Sequence, residues 1–438
     1  MSLYNNIIRY ILAILLAVLP CASTLAQVDN AVVADGGEAA DESDSLYIPK
    51  TLQQKIDSIL CSEYQSVSYR TTTVRGRNGR RKTIRQKTKV ANPLTAGCCV
   101  YNLSADSIIY EHNEEQMMTP ASTQKVFVAT AMLEKYGINY TFNTKVMTDG
   151  NIREDSLGRF FLDGDIIVHG GTDPLFGKEY TDSIYRAIKK IGVDSIAGRI
   201  LVYESPRYDH IKLHEEDVAP LLAKKLMADS ICFADEKPWA TTKDVSVLSC
   251  RNTILKISTT LDQVLKPMMK KSNNNCAQAM LLNLMPDDAR WDYQSCCDVV
   301  RSTITRILSR VNDQHDLQEV YNIIDGSGLS HSNKTTAQTQ VDLLRYIYRK
   351  SSLYQTLREY LPIAGVDGTL SKRMTQGKAY NNVRAKTGTV NKVKTLCGYL
   401  SAANNDLIAF SILIGNNNDE RLAVRMQNSI CELLANME

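Results

Sequence analysis

The sequence predicts an α/β protein with a smaller α/β domain inserted into it. Two pairs of strand-like runs, within 96–110 and 395–414, alternate with helical patterns of apolar residues, which gives the class. Between 138 and 243 the pattern shifts to short mixed strands and helices, which marks the insertion. At 438 residues the chain is long enough for two domains, or for one domain carrying a large insertion. Hydrophobic content of 44% and charge of 23% are ordinary for a soluble globular protein, and a net charge of +3 singles out no class of partner.

From the N-terminus, Arg9 precedes the apolar run 10–19, and Thr24-Leu25-Ala26 offers small residues for cleavage. Residues 1–26 are therefore expected to be a signal peptide. The apolar run is short for a bilayer. Cys21 offers lipid attachment as an alternative, which Pro20 directly before it fits badly. Residues 27–45 are acidic and small and predict a flexible linker. Of the 11 cysteines, ten follow residue 26, with no CxxC or zinc-finger spacing, and mostly buried free thiols are expected.

The segment 52–60 reads as an amphipathic helix. The run 70–89 begins at Arg70, ends at Lys89, holds Arg75, Arg77, Arg80, Arg81, Lys82, Arg85 and Lys87, and has no acid. It is expected to be a solvated basic loop, with peripheral contact to anionic envelope polymer or lipid as the alternative; export argues against nucleic acid. Residues 96–103 and 107–110 read as two strands joined by a short turn. A helix follows, with Thr119 as its expected cap and Pro120 at its first position. It is apolar on most sides, hence buried, and Gly137 ends it. Within the insertion, 166–168 and 200–203 read as strands, and 180–191 and 218–227 as helices. Helices are expected at 261–269, 276–284 and 420–435, and strands at 395–400 and 407–414. No internal repeat and no later membrane span is legible.

Three short motifs carry the chemistry. Ser122-Thr123-Gln124-Lys125 opens the buried helix. Ser122 then lies in a first turn, where free N–H groups and the helix dipole favour a developing anion. Lys125, three residues on, shares its face and, if buried, loses proton affinity enough to act as a base. Ser272-Asn273-Asn274 joins two helical patterns, so Ser272 is placed to return a proton to a leaving nitrogen and Asn274 to hold a substrate amide. Lys386-Thr387-Gly388 precedes a strand pair. Lys386 and Thr387 offer a cation and a hydroxyl to a carboxylate, and Gly388 lets backbone come close. The N–H of Thr389, with that of Ser122, is expected to form an oxyanion hole. Together these make a serine acyl-transfer site that needs no histidine, metal or organic cofactor.

Other chemistries are poorly supported. His210 and His214 are four apart, but Ile211 stands where a metalloprotease needs glutamate. A Gly-x-Ser-x-Gly elbow is absent, which disfavours a Ser-His-Asp hydrolase.

With these motifs the chain resembles the class C low-molecular-mass penicillin-binding proteins, the D-alanyl-D-alanine carboxypeptidase/endopeptidase family. Three more segments carry the resemblance: Gly170-Gly171-Thr172-Asp173-Pro174, Asp325-Gly326-Ser327-Gly328-Leu329-Ser330, and the 361–370 stretch with Asp367-Gly368-Thr369. It covers about 95–438. It implies a serine-transpeptidase (penicillin-binding/β-lactamase-like) domain over 46–137 and 244–438, an antiparallel sheet flanked by helices, with the inserted domain at 138–243. Asn273 stands where relatives often carry Asp, and the short stretch between Lys125 and Ser272 suggests that the outer of two inserted domains is missing.

What the resemblance implies in function is an exported, periplasmic peptidase with peptidoglycan peptides and β-lactams as partners and no nucleic acid. Ser122 would attack the penultimate D-alanine carbonyl, Lys125 take its proton, and Lys386 and Thr387 hold the terminal carboxylate. A serine β-lactamase is the first rival; its Glu-x-x-Leu-Asn loop is not found between the second and third motifs, and Glu432 to Asn436 is a poor match placed after the third. A non-catalytic peptidoglycan-binding relict is the second, and the intact motif residues argue against it.

Overall fold

A computed structural model describes residues 51–60, 65–75, 81–91, 94–211, 215–250, 252–285, 291–311 and 321–438. The expected leader and acidic linker, and His214, lie outside the described residues. Helix α1 (Leu52–Leu60) buries Ile56 and Leu60. The basic run, expected as a loop, is instead a two-stranded antiparallel ribbon of β1 (Gln65–Arg75) and β2 (Arg81–Ala91), with Gln65 opposite Ala91 and Arg75 opposite Arg81. The reason lies between the charges: Thr71, Thr72, Thr73 and Val74 run opposite Thr83 and Ile84 and their neighbours, and β-branched residues favour extended backbone.

Strands β3 (Thr95–Asn102) and β4 (Ser107–His112) form the expected pair. A 3-10 turn at Ala121–Thr123 leads into α2 (Gln124–Tyr136), buried from Gln124 to Leu133. The start of this helix differs from expectation. Thr119 does not cap it but donates to the His331 carbonyl (3.3 Å), and Pro120 precedes the turn. The Pro120 carbonyl is taken by the hydroxyls of Thr123 and Thr395, so tertiary bonds replace a local cap. Gly137 ends α2 with φ +71, as expected.

The insertion runs through β5 (Thr141–Thr148), β6 (Asn151–Glu154), β7 (Phe160–Asp163), β8 (Ile166–His169), α3 (Thr181–Lys189), β9 (Ser195–Ile196), β10 (Ile200–Tyr203), α4 (Glu215–Ala228), β11 (Cys232–Phe233), β12 (Trp239–Thr242) and β13 (Asn252–Thr260). These make a five-stranded sheet, order β12-β10-β8-β5-β13, and a four-stranded sheet, order β11-β9-β7-β6. One apolar cluster serves both: Val146 and Ile166 from the first sheet, Leu162 and Ile196 from the second, and Ile184 and Leu222 from the helices. Strand β13 pairs antiparallel with β5, so this sheet continues to residue 260, past the boundary expected at 243. Lys256 and Ser258 are exposed among the partly buried Ile254, Leu255 and Ile257, and that mixed edge strand dilutes the apolar signal.

The chain then builds α5 (Leu261–Lys270), α6 (Asn274–Leu282), α7 (Tyr293–Leu308), β14 (Tyr321–Asn322), β15 (Lys334–Thr335), α8 (Ala337–Arg349), α9 (Ser351–Tyr360), β16 (Arg384–Val390), β17 (Val393–Ser401), β18 (Leu407–Gly415) and α10 (Glu420–Ala435). The last strands join the first in a five-stranded sheet, order β16-β17-β18-β3-β4, antiparallel throughout. Alternate residues serve opposite cores. Cys99, Cys397 and Ala409 face the layer of α2, α5, α6, α7 and α8, while Cys98, Leu396 and Phe410 face α1 and α10. Both faces are covered, which is why β18 reads as an almost unbroken apolar run. The nine described cysteines are free, and seven of them are buried. No described helix is long and apolar enough to cross a membrane.

Candidate active site

Ser122 sits on the 3-10 turn at the head of α2, beside the five-stranded sheet. Ala121 just before it has φ +48, a left-handed backbone that a non-glycine residue adopts only when its surroundings enforce it, at roughly 1–3 kcal/mol. The enforcement is a buried polar chain. Thr123 Oγ1 and Thr395 Oγ1 each donate to the Pro120 carbonyl at 2.7 Å. Gln340 Nε2 donates to Thr123 Oγ1 (2.7 Å), and Ser411 Oγ donates to Gln340 Oε1 (2.9 Å). The turn is thus tied to β17, β18 and α8 at once, with each buried polar group partnered.

Lys125 is fully buried. Its Nζ donates to Ser122 Oγ (2.8 Å), Asn274 Oδ1 (2.9 Å) and the Ser327 carbonyl (2.6 Å). Burial pushes its pKa down to about 7, against the opposing pull of Asp325 and Cys276. Near neutrality a large share of Lys125 is therefore the free amine, whose lone pair can take the Ser122 proton. Acylation by penicillin should accordingly rise with pH through about 7 and level off above it, because only the neutral amine is a base. A stopped-flow pH profile checks this; a rate flat from pH 5.5 to 8.5 would remove Lys125 as the base.

Ser272 and Asn274 stand at the start of α6. Ser272 holds φ +58, and Asn273 caps the helix by accepting from the Cys276 N–H (3.1 Å). Asn274 Oδ1 accepts from Lys125 Nζ. On β16, Lys386 is fully buried, and its Nζ donates to Ser272 Oγ (3.0 Å) and to the Thr387 carbonyl (2.8 Å). Burial, then the nearby charge of Lys125, hold its pKa well below the ordinary lysine value. Thr387 Oγ1 shares a 2.6 Å hydrogen bond with Thr369 Oγ1. At Gly388 a Cβ would lie 2.9 Å from the Ser122 nitrogen, 2.8 Å from the Pro120 carbonyl oxygen and 2.0 Å from Thr395 Oγ1, so β16 reaches the serine turn only with glycine there. Thr389 is exposed, with Lys394 Nζ donating to its hydroxyl (3.2 Å). Hydrogen bonds thus join Ser122, Lys125 and Asn274 in one group and Ser272, Lys386 and Thr387 in another, with Ser272 and Asn274 on the same turn. Thr389 belongs to neither group.

Ser327 meets the site through its backbone, a contact that sequence reasoning missed. Its carbonyl, a backbone atom, accepts both from Lys125 and, at 3.4 Å, from Ser122 Oγ. The loop that aims it is organised by Asp325, whose carboxylate accepts from the N–H groups of Ser327 (2.8 Å), Gly328 (2.6 Å) and Ser330 (2.8 Å) and from Asn333 Nδ2 (2.9 Å). Burial alone would raise the pKa of Asp325; those bonds more than offset it and hold it below the ordinary carboxylate value. Gly328, at φ +83, comes so close to the serine turn that a Cβ would meet the Ala121 oxygen at 1.9 Å. The other two signature segments are braces. Asn283 Nδ2 donates to Thr172 Oγ1 (2.7 Å), and Lys270 Nζ donates to Asp367 Oδ2 (2.6 Å), which holds the turn that presents Thr369.

An antiparallel sheet with Lys386-Thr387-Gly388 on its edge strand, set against a helical layer that carries Ser122 and Lys125, defines a serine-transpeptidase type of domain. The sequence profile of the D-Ala-D-Ala carboxypeptidase 3 (S13) family matches residues 86–214 and 210–437. The chain belongs to that family of serine peptidases, among the class C low-molecular-mass penicillin-binding proteins. D-alanyl-D-alanine carboxypeptidase DacB of Haemophilus influenzae is 23% identical over 424 residues, which cover 74% of this chain and 85% of that one. A D-alanyl-D-alanine carboxypeptidase of Actinomadura sp. is 35% identical over 187 residues, 41% of this chain and 32% of that one. The solved penicillin-binding protein 4 (dacB) of Haemophilus influenzae superposes with a TM-score of 0.64 at 20% identity, over 78% of this chain and 96% of that one, which shows a shared fold.

Proposed function

We propose that the chain cuts the D-alanyl-D-alanine end of peptidoglycan stem peptides through an acyl-enzyme on Ser122, and that penicillin acylates the same oxygen. The observation that carries this reading is the 2.8 Å hydrogen bond between Ser122 Oγ and a buried lysine whose pKa is pushed down to about 7. Neutral Lys125 takes the Ser122 proton as Oγ attacks the penultimate D-alanine carbonyl. The N–H groups of Ser122 and Thr389 receive the oxyanion, and Asn274 holds the substrate amide. Ser272, polarised by Lys386, passes its proton to the leaving amine and takes up the proton that Lys125 removed from Ser122, so Lys125 is again a free amine as D-alanine departs. Thr387 and the charge of Lys386 hold the terminal carboxylate. Water then attacks the ester and frees Ser122. Each step uses only groups of the chain and water.

Penicillin should form a long-lived adduct rather than turn over rapidly, because the stretch between the second and third motifs lacks a Glu-x-x-Leu-Asn loop for deacylation. Mass spectrometry of a digest should find the added mass on the peptide that carries Ser122. Fast hydrolysis with no adduct would favour a β-lactamase, and an unlabelled chain would favour a relict.

The reading extends to place and to substrate size. The leader expected at 1–26 supports export to the periplasm, where this substrate lies, and the basic ribbon of β1 and β2 supports peripheral contact with an anionic envelope surface. The inserted region supports a single added domain, since one core serves both of its sheets. A cleft with so small a cover admits cross-linked peptides, so endopeptidase activity is expected alongside carboxypeptidase activity. Chromatography of digests should show cross-linked muropeptide dimers converted to monomers; dimers left whole by an enzyme that trims pentapeptide would remove this part.

A further inference from the structure

The inserted region holds a cleft of about 720 Å³, none of whose lining residues belongs to the Ser122 site. Its lining includes apolar Leu162 of β7, Ile191 just past α3, and Ile254 and Leu255 of β13. Ile152 of β6 lines it as well and is 50% exposed. Two cations line it too, Arg186 on α3 and Lys190 one turn later, both exposed, and the neutral polar Thr148, Asn151, Ser183, Asn252 and Thr253 are part of the lining as well. Neither forms an ion pair among the described residues, and no acid lines the cleft. Cations near a helix C-terminus complement its dipole, which accounts for their position. It does not account for a lining that sets these cations beside apolar residues without an acid; Asp182, the acid that Arg186 acts on, is one turn back and outside the lining. That combination is complementary to an anion with an apolar body.

The backbone adds a second, independent constraint. Strands β6 and β13 both line the cleft, and each is the edge strand of its sheet. The β13 ladder is also broken by a register shift between Thr253 and Leu255. Edge strands present unpaired N–H and C=O groups, which an extended peptide satisfies by adding itself as a further strand. The volume suits a few residues, not a folded partner.

Resting on the substrate reading above, we propose that this cleft is a second peptidoglycan site, which takes the carboxylate-bearing stem peptide of a strand other than the one being cut. Its apolar bed receives the alanyl methyls and methylene chains, Arg186 and Lys190 receive the carboxylates, and an edge strand pairs with the peptide backbone. Bound there, a neighbouring strand anchors the enzyme on the polymer while Ser122 works on another.

Blocking Ser122 with penicillin G isolates this site. The acylated protein should still bind a soluble disaccharide-tetrapeptide saturably in calorimetry. The exposed double variant Arg186→Gln/Lys190→Gln should weaken that binding at least about tenfold, and so should amidation of the fragment's carboxylates. Cleavage of a short D-alanyl-D-alanine peptide by the variant should stay at the wild-type rate. Acylated wild type that binds no fragment, a double variant that binds as well as wild type, or an amidated fragment that binds undiminished would each overturn the proposal. Failure of the underlying substrate reading would show elsewhere, as wild-type protein that leaves the short peptide uncut.

Discussion

Ser122→Ala should abolish covalent labelling by penicillin and reduce peptide cleavage by roughly 10⁴-fold or more, while the fold survives. The hydroxyl supplies the oxygen that carries the acyl group in the proposed reaction, so its loss leaves binding and oxyanion contacts alone. Structural damage should be slight, since Ser122 Oγ is held by one 2.8 Å bond from Lys125 and one 3.4 Å contact to the Ser327 carbonyl. The anchors of the turn, Thr123, Thr395 and Gln340, are untouched. Fluorescent penicillin on a denaturing gel reads the result, with the thermal unfolding midpoint as the fold control. A labelled variant would move the nucleophile to another residue.

Lys125→Arg should lower acylation by about 10²–10⁴-fold, the usual span of a general base, although it keeps a cation where lysine stood. A guanidinium stays protonated at any working pH, so it can donate to Asn274 and the Ser327 carbonyl but cannot accept the Ser122 proton. The contrast with wild type should widen as pH rises through about 7, because only wild type gains free amine there. Second-order rate constants for penicillin acylation at several pH values separate the two cases. Near-wild-type acylation by the variant would leave Lys125 an electrostatic role only.

The α/β architecture was legible because apolar period follows burial: helix α2 and strand β18 announce themselves. The side chains that meet around Ser122 were legible from residue type and order. What escaped the sequence has identifiable causes. The Ser327 acceptor is a backbone carbonyl, which leaves no trace in residue type. Gln340 and Thr395 stand beside other polar residues in the sequence and look unexceptional, and only their meeting in space shows what they do; Ser411, a lone hydroxyl within an apolar strand, was the one visible hint. The ribbon of β1 and β2 was hidden because its charges mark a solvated segment whether the backbone is looped or extended, and the β-branched positions between them are a weaker signal. Strand β13 was missed because an edge strand shares its apolar face with solvent.

The sheet order also constrains the sequence of events by which the protein comes into being. Strand β18 lies between β17 and β3, so β3 has no inner neighbour until residue 415 has been made. The serine turn waits as well, since Thr395, the partner of the Pro120 carbonyl, comes 275 residues later. Such long-range closure is slow, and meanwhile the early strands expose open edges. A chain that stops before β18 therefore holds the proposed nucleophile, Ser122, without the contacts that fix its turn. The proposed acylation of Ser122 should wait on residue 415, and truncation before β18 should remove reactivity even though Ser122 and Lys125 remain in the chain.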